Sequence, residues 1–201
     1  MKKILITLLL LSLNNYIYSQ IGIKGGLNLS SVNSDYYDSS YGLGFQVGGF
    51  YDVALSEKFV FQPQLLFVHN SFKRKDLVLH DNMIYKDHTN SYGLSLPLLI
   101  SYRYPISTKS KIMLDFGPFI SYGLFGKIKK DVWEGDKLIN SQKNNVYNDN
   151  RSPVDVGLMG GLGFQSKEYI LSFHYKHGLH KGTSDDLTMS FMFSVGYRFN
   201  K

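Results

Sequence analysis

Along most of this chain the odd and even positions separate into an apolar set and a polar set. In the last segment, residues 187–199, the odd positions are all large and apolar, while the even positions are mostly small or polar. Because successive side chains of a β-strand point to opposite faces, this alternation predicts a strand and not a helix. The same pattern recurs in earlier segments. The predicted strands are residues 21–30, 41–53, 59–72, 90–104, 112–126, 154–165, 169–179 and 187–199.

The connections between these segments alternate in length. Residues 31–40, 73–89, 127–153 and 180–186 form longer polar connections, whereas residues 54–58, 105–111 and 166–168 form short turns. Membrane barrels with an even number of strands show this asymmetry, with short turns on the periplasmic side, and their strands need roughly 9 to 11 residues to cross. We therefore predict an all-β fold, a closed antiparallel up-and-down transmembrane β-barrel of about eight strands. Both chain ends should lie at the periplasmic rim, and segment 187–199 should pair with segment 21–30 to close the ring.

Aromatic residues of the apolar parity fall into two bands. Near the short turns lie Tyr51, Phe59, Phe61, Tyr102, Tyr104, Phe164, Tyr169, Tyr197 and Phe199; near the longer connections lie Tyr41, Phe67, Tyr92, Tyr122 and Tyr175. Between the bands the same face is mostly aliphatic. Aromatic belts on both sides of an aliphatic band are typical of a surface that faces a bilayer. The pattern thus predicts lipid, not water, around the barrel.

The opposite parity carries polar and charged side chains diluted with glycine. They are Lys24, Asn28, Gln46, Asp52, Gln62, Gln64, Ser95, Arg103, Asp115, Asp155, His174, Lys176 and Arg198. The interior of an eight-stranded barrel is only wide enough for side chains to fill it. We therefore predict a filled lumen with an ion-pair network near the periplasmic rim, formed by Lys24, Asp52, Arg103, Asp115 and Arg198. Arg103 and Asp115 flank one short turn and should be the best pair; the alternative is loosely solvated charges at a barrel mouth.

Three prolines interrupt neighbouring predicted strands, at Pro63, Pro97 and Pro118. Proline cannot donate a ladder hydrogen bond, and a closed barrel has no free edge to place it on. We expect bulges or local ends of pairing at these positions. If the prolines are breaks instead, the third to fifth strands are shorter than drawn.

The N-terminus predicts export. Lys2 and Lys3 precede an apolar run over residues 4–13 and a polar stretch that ends near Ser19, which is the pattern of a cleaved signal peptide. We assign residues 1–19 to this signal and residues 20–201 to the barrel domain. The absence of cysteine excludes disulfides and thiolate metal sites. A formal net charge of +6, dispersed along the chain, gives no indication of nucleic-acid binding.

Several short motifs occur together along the mature chain. They are IKGGLN at 23–28, LSLPLLISY at 94–102, FGPF at 116–119, DVG at 155–157, YKHGL at 175–179 and GYRF at 196–199. In order and spacing they resemble the small outer-membrane β-barrel family that includes PorT-like proteins. Ser95 and Ser101 stand where members of that family often carry Glu and Lys. The resemblance implies an outer-membrane barrel whose terminal aromatic, here Phe199, is read by the barrel-assembly machinery, and it transfers no catalytic residue.

Three constellations invite a chemical interpretation. His174, His177 and His180 recur every third residue, but alternate faces of a strand keep them from converging on a metal. His80 and His88 lie near Asp81 and Asp87 in a polar connection and could gather a surface cation. Ser172, His174 and Asp155 are the nearest candidates for a hydrolase triad, without a motif that joins them. We predict no catalytic, cofactor-binding or metal-binding residue, and no cofactor.

The connection 127–153 gives the clearest functional indication. It combines several lysines and carboxylates with Trp133, the single tryptophan of the chain, and long loops on a rigid scaffold often carry recognition. We predict a structural or surface-interaction protein of the outer membrane, with a possible surface partner at 127–153. The alternatives are a small-solute porin, a periplasmic lipocalin-like binding barrel, an envelope enzyme, and a loop that contacts nothing specific.

Overall fold

The fold is described by a computed structural model that covers residues 20–33, 39–74, 77–79, 83–134, 137–147, 152–179 and 187–199. The predicted signal peptide (residues 1–19), His80, Asp81 and His180 lie outside the described residues. Ten strands make up the described secondary structure. They are β1 Gln20–Asn33, β2 Ser39–Ala54, β3 Phe59–Arg74, β4 Leu77–Leu79, β5 Met83–Pro105, β6 Ser110–Glu134, β7 Lys137–Asn145, β8 Val154–Ser166, β9 Tyr169–Gly178 and β10 Leu187–Arg198. No helix within these ranges is long and apolar enough to cross a membrane.

Eight of the strands form a closed antiparallel ring in chain order. β1, β2, β3, β5, β6, β8, β9 and β10 each pair with the next, and the β5–β6 and β1–β10 pairings complete the circuit. In the closing pair, Gly22 lies opposite Arg198 and Asn33 lies opposite Leu187. The predicted up-and-down barrel and its closure by the last strand are therefore confirmed, and both ends of the described chain lie at the rim with the short turns.

The two faces of the barrel wall differ as the alternation predicts. Ile23 on the outer face is 56% exposed, while its neighbour Lys24 on the inner face is 7% exposed. The aromatic bands also form: Phe59 contacts Tyr102 near the short turns, with 5.2 Å between ring centroids, and Tyr92 stacks on Phe125 at 4.9 Å near the other rim. An apolar exterior around a polar lining is the reverse of a soluble binding barrel, so the lipocalin-like alternative is wrong.

The predicted connections 73–89 and 127–153 are wrong in their boundaries, because most of their described residues are β-structure. β5 begins at Met83 and β6 continues to Glu134, so these two strands stay paired well above the barrel. The short strand β4 pairs with the start of β5, and β7 folds back on the end of β6. We call β4, residues 83–92 of β5, residues 125–134 of β6, and β7 together the surface extension.

The prolines do not produce bulges. Pairing between β2 and β3 stops after Phe50 opposite Gln64 and resumes at Val53 opposite Phe61, in the same register. Similar gaps occur beside Pro63 and Pro97 in the neighbouring ladders, while Pro118 stays paired with Leu158. The strands therefore run through the prolines, and the ladder is only locally interrupted, as expected for a residue without an amide hydrogen.

Candidate functional site

A buried charge cluster closes the lumen at the rim with the short turns. Asp52 accepts hydrogen bonds from Arg103 Nη2 at 2.7 Å, from Arg198 Nη1 at 3.3 Å and from Gln62 Nε2 at 2.7 Å. All four side chains are buried. Two guanidinium groups on one carboxylate, with an amide filling a further acceptor position, give a paired and hydrogen-bonded arrangement that can tolerate burial. Of the five residues of the predicted network, Asp52, Arg103 and Arg198 interact here.

The predicted pair between Arg103 and Asp115 is wrong. In the β5–β6 ladder Arg103 lies opposite Met113, and Asp115 lies opposite Ser101, so the two charged residues sit at different levels. Arg103 reaches Asp52 instead. Sharing a short turn in sequence therefore does not place two side chains at the same height in a barrel.

Asp115 belongs to a second buried cluster one level higher. Its Oδ2 lies 3.0 Å from His174 Nε2, and both side chains are 1% exposed. Gly161 of β8 lies directly opposite both residues, between β6 and β9. A Cβ at Gly161 would lie 2.7 Å from His174 Cδ2 and 2.2 Å from a backbone oxygen. The missing side chain is therefore what lets His174 reach Asp115 across an intervening strand.

Lys24 completes this level, where its Nζ donates to Gln64 Oε1 at 3.2 Å. The empty space beside Lys24, Asp115 and His174 is about 10 Å³, which is about the volume that a single water requires. The middle of the lumen is thus filled by side chains.

Apolar side chains add layers that the sequence analysis did not identify. One cluster contains Leu66, Val68, Leu99, Phe119, Met159 and Met192; a second contains Phe50, Met113 and Ile170. These residues share the inner parity with the polar residues, so the alternation itself could have revealed them. Lys176 Nζ lies 4.0 Å from the centroid of the Phe119 ring. A packed apolar layer separates the lower charge clusters from the outer end of the barrel.

A cavity of about 170 Å³ lies above this layer. Its wall is rich in hydroxyl groups, several of which bond to each other: Ser30 to Ser190 at 2.9 Å and Ser95 to Ser121 at 2.8 Å. Lys176 donates to Ser121 Oγ at 3.0 Å and lies 3.3 Å from Asp155 Oδ2. Val146 and Tyr147 are part of the lining. The cavity is large enough for small polar molecules, and Val68 of the apolar layer is part of its lining.

The surface extension exposes both apolar and charged side chains. All nine residues of β7 are exposed, and Leu138 and Ile139 expose 43% and 50% of their surface near its start. Lys86 Nζ lies 5.6 Å from the centroid of the Trp133 ring. Lys129 donates to Asp131 at 2.6 Å, and this hydrogen bond lowers the pKa of the Asp131 carboxyl. Within the described part of the chain, β7 pairs with β6 on one side and leaves its other edge open.

The described residues of the three predicted constellations contact separate partners. Ser172 bonds to Ser194 at 2.8 Å, His174 to Asp115, and Asp155 Oδ2 accepts from Thr188 at 2.8 Å. His177 lies 3.2 Å from the Tyr175 hydroxyl, and His88 lies 3.1 Å from Ser71 Oγ. Within the described ranges no group of three or more His, Asp or Glu side chains converges as metal ligands.

Comparison with known proteins identifies the family of this chain. The family model described as "Outer membrane protein beta-barrel domain" matches residues 12–184. No curated protein matches the chain in sequence.

Several solved structures are similar in fold. The attachment invasion locus protein Ail of Yersinia pestis, in complex with the heparin analogue sucrose octasulfate, is 15% identical, with 90% of this chain and 99% of that chain covered and a TM-score of 0.45. OprG of Pseudomonas aeruginosa is 12% identical, with 93% and 99% covered and a TM-score of 0.45. Neisserial surface protein A is 10% identical, with 89% and 97% covered and a TM-score of 0.42. At these identities the likeness concerns the barrel fold alone.

Proposed function

The chain belongs to the outer membrane β-barrel domain family, and from that premise we propose that it is a closed barrel that binds a surface partner through its extension. The outer membrane is its location, and lipid surrounds its apolar wall. The observation that carries the proposal is a contrast in exposure. Most lumen side chains are buried, and Asp52 is paired there with Arg103 and Arg198, whereas the whole of β7 is exposed above the barrel.

The filled lumen supports a role other than transport. A solute would have to displace the apolar layer that includes Leu66, Leu99 and Met192, and then separate the two arginines from Asp52. Breaking a buried ion pair costs several kcal/mol. The rival function, a small-solute channel, is favoured only by the outer cavity of about 170 Å³, which ends on the packed layer below it.

The surface extension supports a binding role. Soluble surfaces seldom gather large apolar side chains beside an open strand edge, because such edges template pairing with other chains. Here Leu138 and Ile139 lie on the edge strand β7, flanked by Lys137 and Lys143, which discourage unspecific pairing of edges. An extended segment of a partner can add to such an edge as a further strand. The separate partners of Ser172, His174 and Asp155 support a non-enzymatic role as part of this proposal.

Capture by the purified barrel tests this proposal. Wild type and a Leu138→Ser/Ile139→Ser variant, both in detergent micelles, are incubated with the surface and secreted proteins of the source cells. We expect wild type to enrich a protein that the variant loses at least tenfold, and that protein, once purified, should capture the barrel in return. A Ser141→Ala/Gln142→Ala variant in the same strand is the matched control and should behave as wild type. Identical capture by all three barrels would contradict the role of β7.

A further inference from the structure

A row of basic side chains crosses four neighbouring strands at one register, on β3 and on the adjoining part of the surface extension. Lys73 of β3 lies opposite His88 of β5, His88 lies opposite Lys129 of β6, and Lys129 lies opposite Lys143 of β7. Side chains directly opposite one another in an antiparallel pair share a face and lie roughly 5 Å apart. Lys129 and Lys143 are like charges directly opposite each other, an arrangement that destabilises a sheet. We call these four residues the basic row.

The basic row faces outward, on the same side as the lipid-facing aromatics. Tyr92 and Phe125 are opposite each other and stack on the outer face. Asn90 and Lys127 lie two residues further along, and His88 and Lys129 two residues beyond them, so all of these positions share one face. The other face of the extension is independently identified by Ile128 and Thr89, which are buried.

The height of the basic row matches a headgroup layer. Four residues of strand rise about 13 Å, or about 10 Å along the membrane normal at a tilt near 40°. The aromatic belt marks the edge of the hydrocarbon, and the polar region beyond it is about 5 to 8 Å thick on each side. Lysine side chains extend further from their backbone than that difference. The ammonium groups of the row therefore reach the lipid headgroups.

The charge of the three lysines in the row is compensated only in part, because one carboxylate faces them. Asp131 is the carboxylate on this face among the residues that the structure describes, and it bonds to Lys129. We propose that the basic row binds the phosphate groups of anionic lipid headgroups in the outer leaflet. Phosphates between the lysines relieve their mutual repulsion and anchor the extension against the membrane surface. This inference requires the outer-membrane location but not the partner proposed for β7.

A soluble polyanion is the less favoured occupant because of where the row lies. Its face continues directly into the aromatic belt, so lipid occupies the space beside it, and a large soluble chain would have to push between barrel and headgroups. Lys130 and Lys137 of the same hairpin lie elsewhere, on the opposite parity and at the tip beside Glu134. They supply matched controls with the same change of charge.

Native mass spectrometry of the purified barrel tests the proposal. The barrel is held in neutral detergent with equal amounts of phosphatidic acid, whose headgroup is a phosphate monoester, and phosphatidylcholine. We expect wild type to retain phosphatidic acid preferentially. A lysine near a membrane surface changes the binding constant about fivefold, so Lys129→Gln/Lys143→Gln should lower retention about 25-fold. Lys130→Gln/Lys137→Gln should retain the lipid as wild type does.

Three outcomes would overturn the proposal. They are no preference for phosphatidic acid, an equal loss in both double variants, and binding of inorganic pyrophosphate through the same lysines with no preference for the phosphate lipid. Folding of each variant is checked by its gel mobility before and after heating. If Lys129→Gln/Lys143→Gln does not fold, wild type in 0.5 M salt replaces it, where screening should release the phosphatidic acid.

Discussion

The barrel wall and the surface extension share strands β5 and β6, but the side chains of the two regions meet different surroundings. β6 shows this within one element: from Met113 to Phe119 its residues alternate between buried and exposed, whereas most residues from Lys127 to Glu134 have some exposure on both faces. In the wall, lipid covers one face and a packed lumen covers the other, so each side chain is constrained. Above the aromatic belt both faces meet water or headgroups, so the backbone keeps its ladder while the side chains become free to bind.

Removing one carboxylate charge should give the largest difference in the free energy of unfolding between the barrel wall and the surface extension. Asp52→Asn leaves two buried guanidinium groups without their carboxylate, and we expect the free energy of unfolding to fall by about 3 to 5 kcal/mol. Asp131→Asn removes a carboxylate that is paired at the surface and should leave that free energy nearly unchanged. Urea unfolding of both variants in lipid vesicles measures the difference. Equal losses would mean that the Asp52 cluster is solvated.

Truncation of an apolar side chain should give the next largest contrast. Leu99 is fully buried against Leu66 and Met159, and Leu99→Ala should cost about 2 to 5 kcal/mol because it leaves a cavity. Leu138→Ala on the exposed strand should change the unfolding free energy by less than about 0.5 kcal/mol. The same unfolding assay applies. A small effect at Leu99 would show that the apolar layer is loosely packed.

Acidification should lower the stability of the protein slightly, through His88 of the surface extension. Burial, followed by the neighbouring charges of Lys73 and Lys129, lowers the pKa of His88 below its usual value. The folded state therefore binds fewer protons than the unfolded state, and stability falls as pH drops below about 6.5, the unfolded value. Unfolding at pH 7.5 and pH 5 should show this loss in wild type. It should shrink in His88→Asn, which does not titrate, and an unchanged pH dependence in that variant would contradict the assignment.

The strands of the wall could be predicted from the sequence because lipid covers one face and the lumen the other. Apolar and polar residues therefore alternate with a period of two. All eight ring strands, their order and the closing pair followed from that alternation and from the lengths of the connections. The extension was mistaken for loops for the same reason. β7 reads KLINSQKNN and is exposed throughout, so no contrast between faces marks it as a strand.

Side-chain partners across the lumen were harder to predict than the strands. The charged residues near the short turns were identified, but Arg103 was matched to Asp115, because sequence proximity gives neither the register nor the height of a side chain. Gly161 opposite both Asp115 and His174 creates their contact, and only the strand pairing shows it. The residues of the apolar layer stand between the polar residues on the same inner parity, so the alternation could have identified them but not their packing across the lumen.

The conductance of the purified barrel in a planar bilayer tests the central contrast most directly. With the lumen filled by the Asp52 cluster, the Asp115–His174 pair and the apolar layer, wild type should show no steady ion conductance. A variant without residues 137–142 of β7 should be equally silent. Refolding and insertion are verified by gel mobility before recording. Steady, reproducible pores formed by the folded wild-type barrel would contradict the closed lumen and favour the channel function.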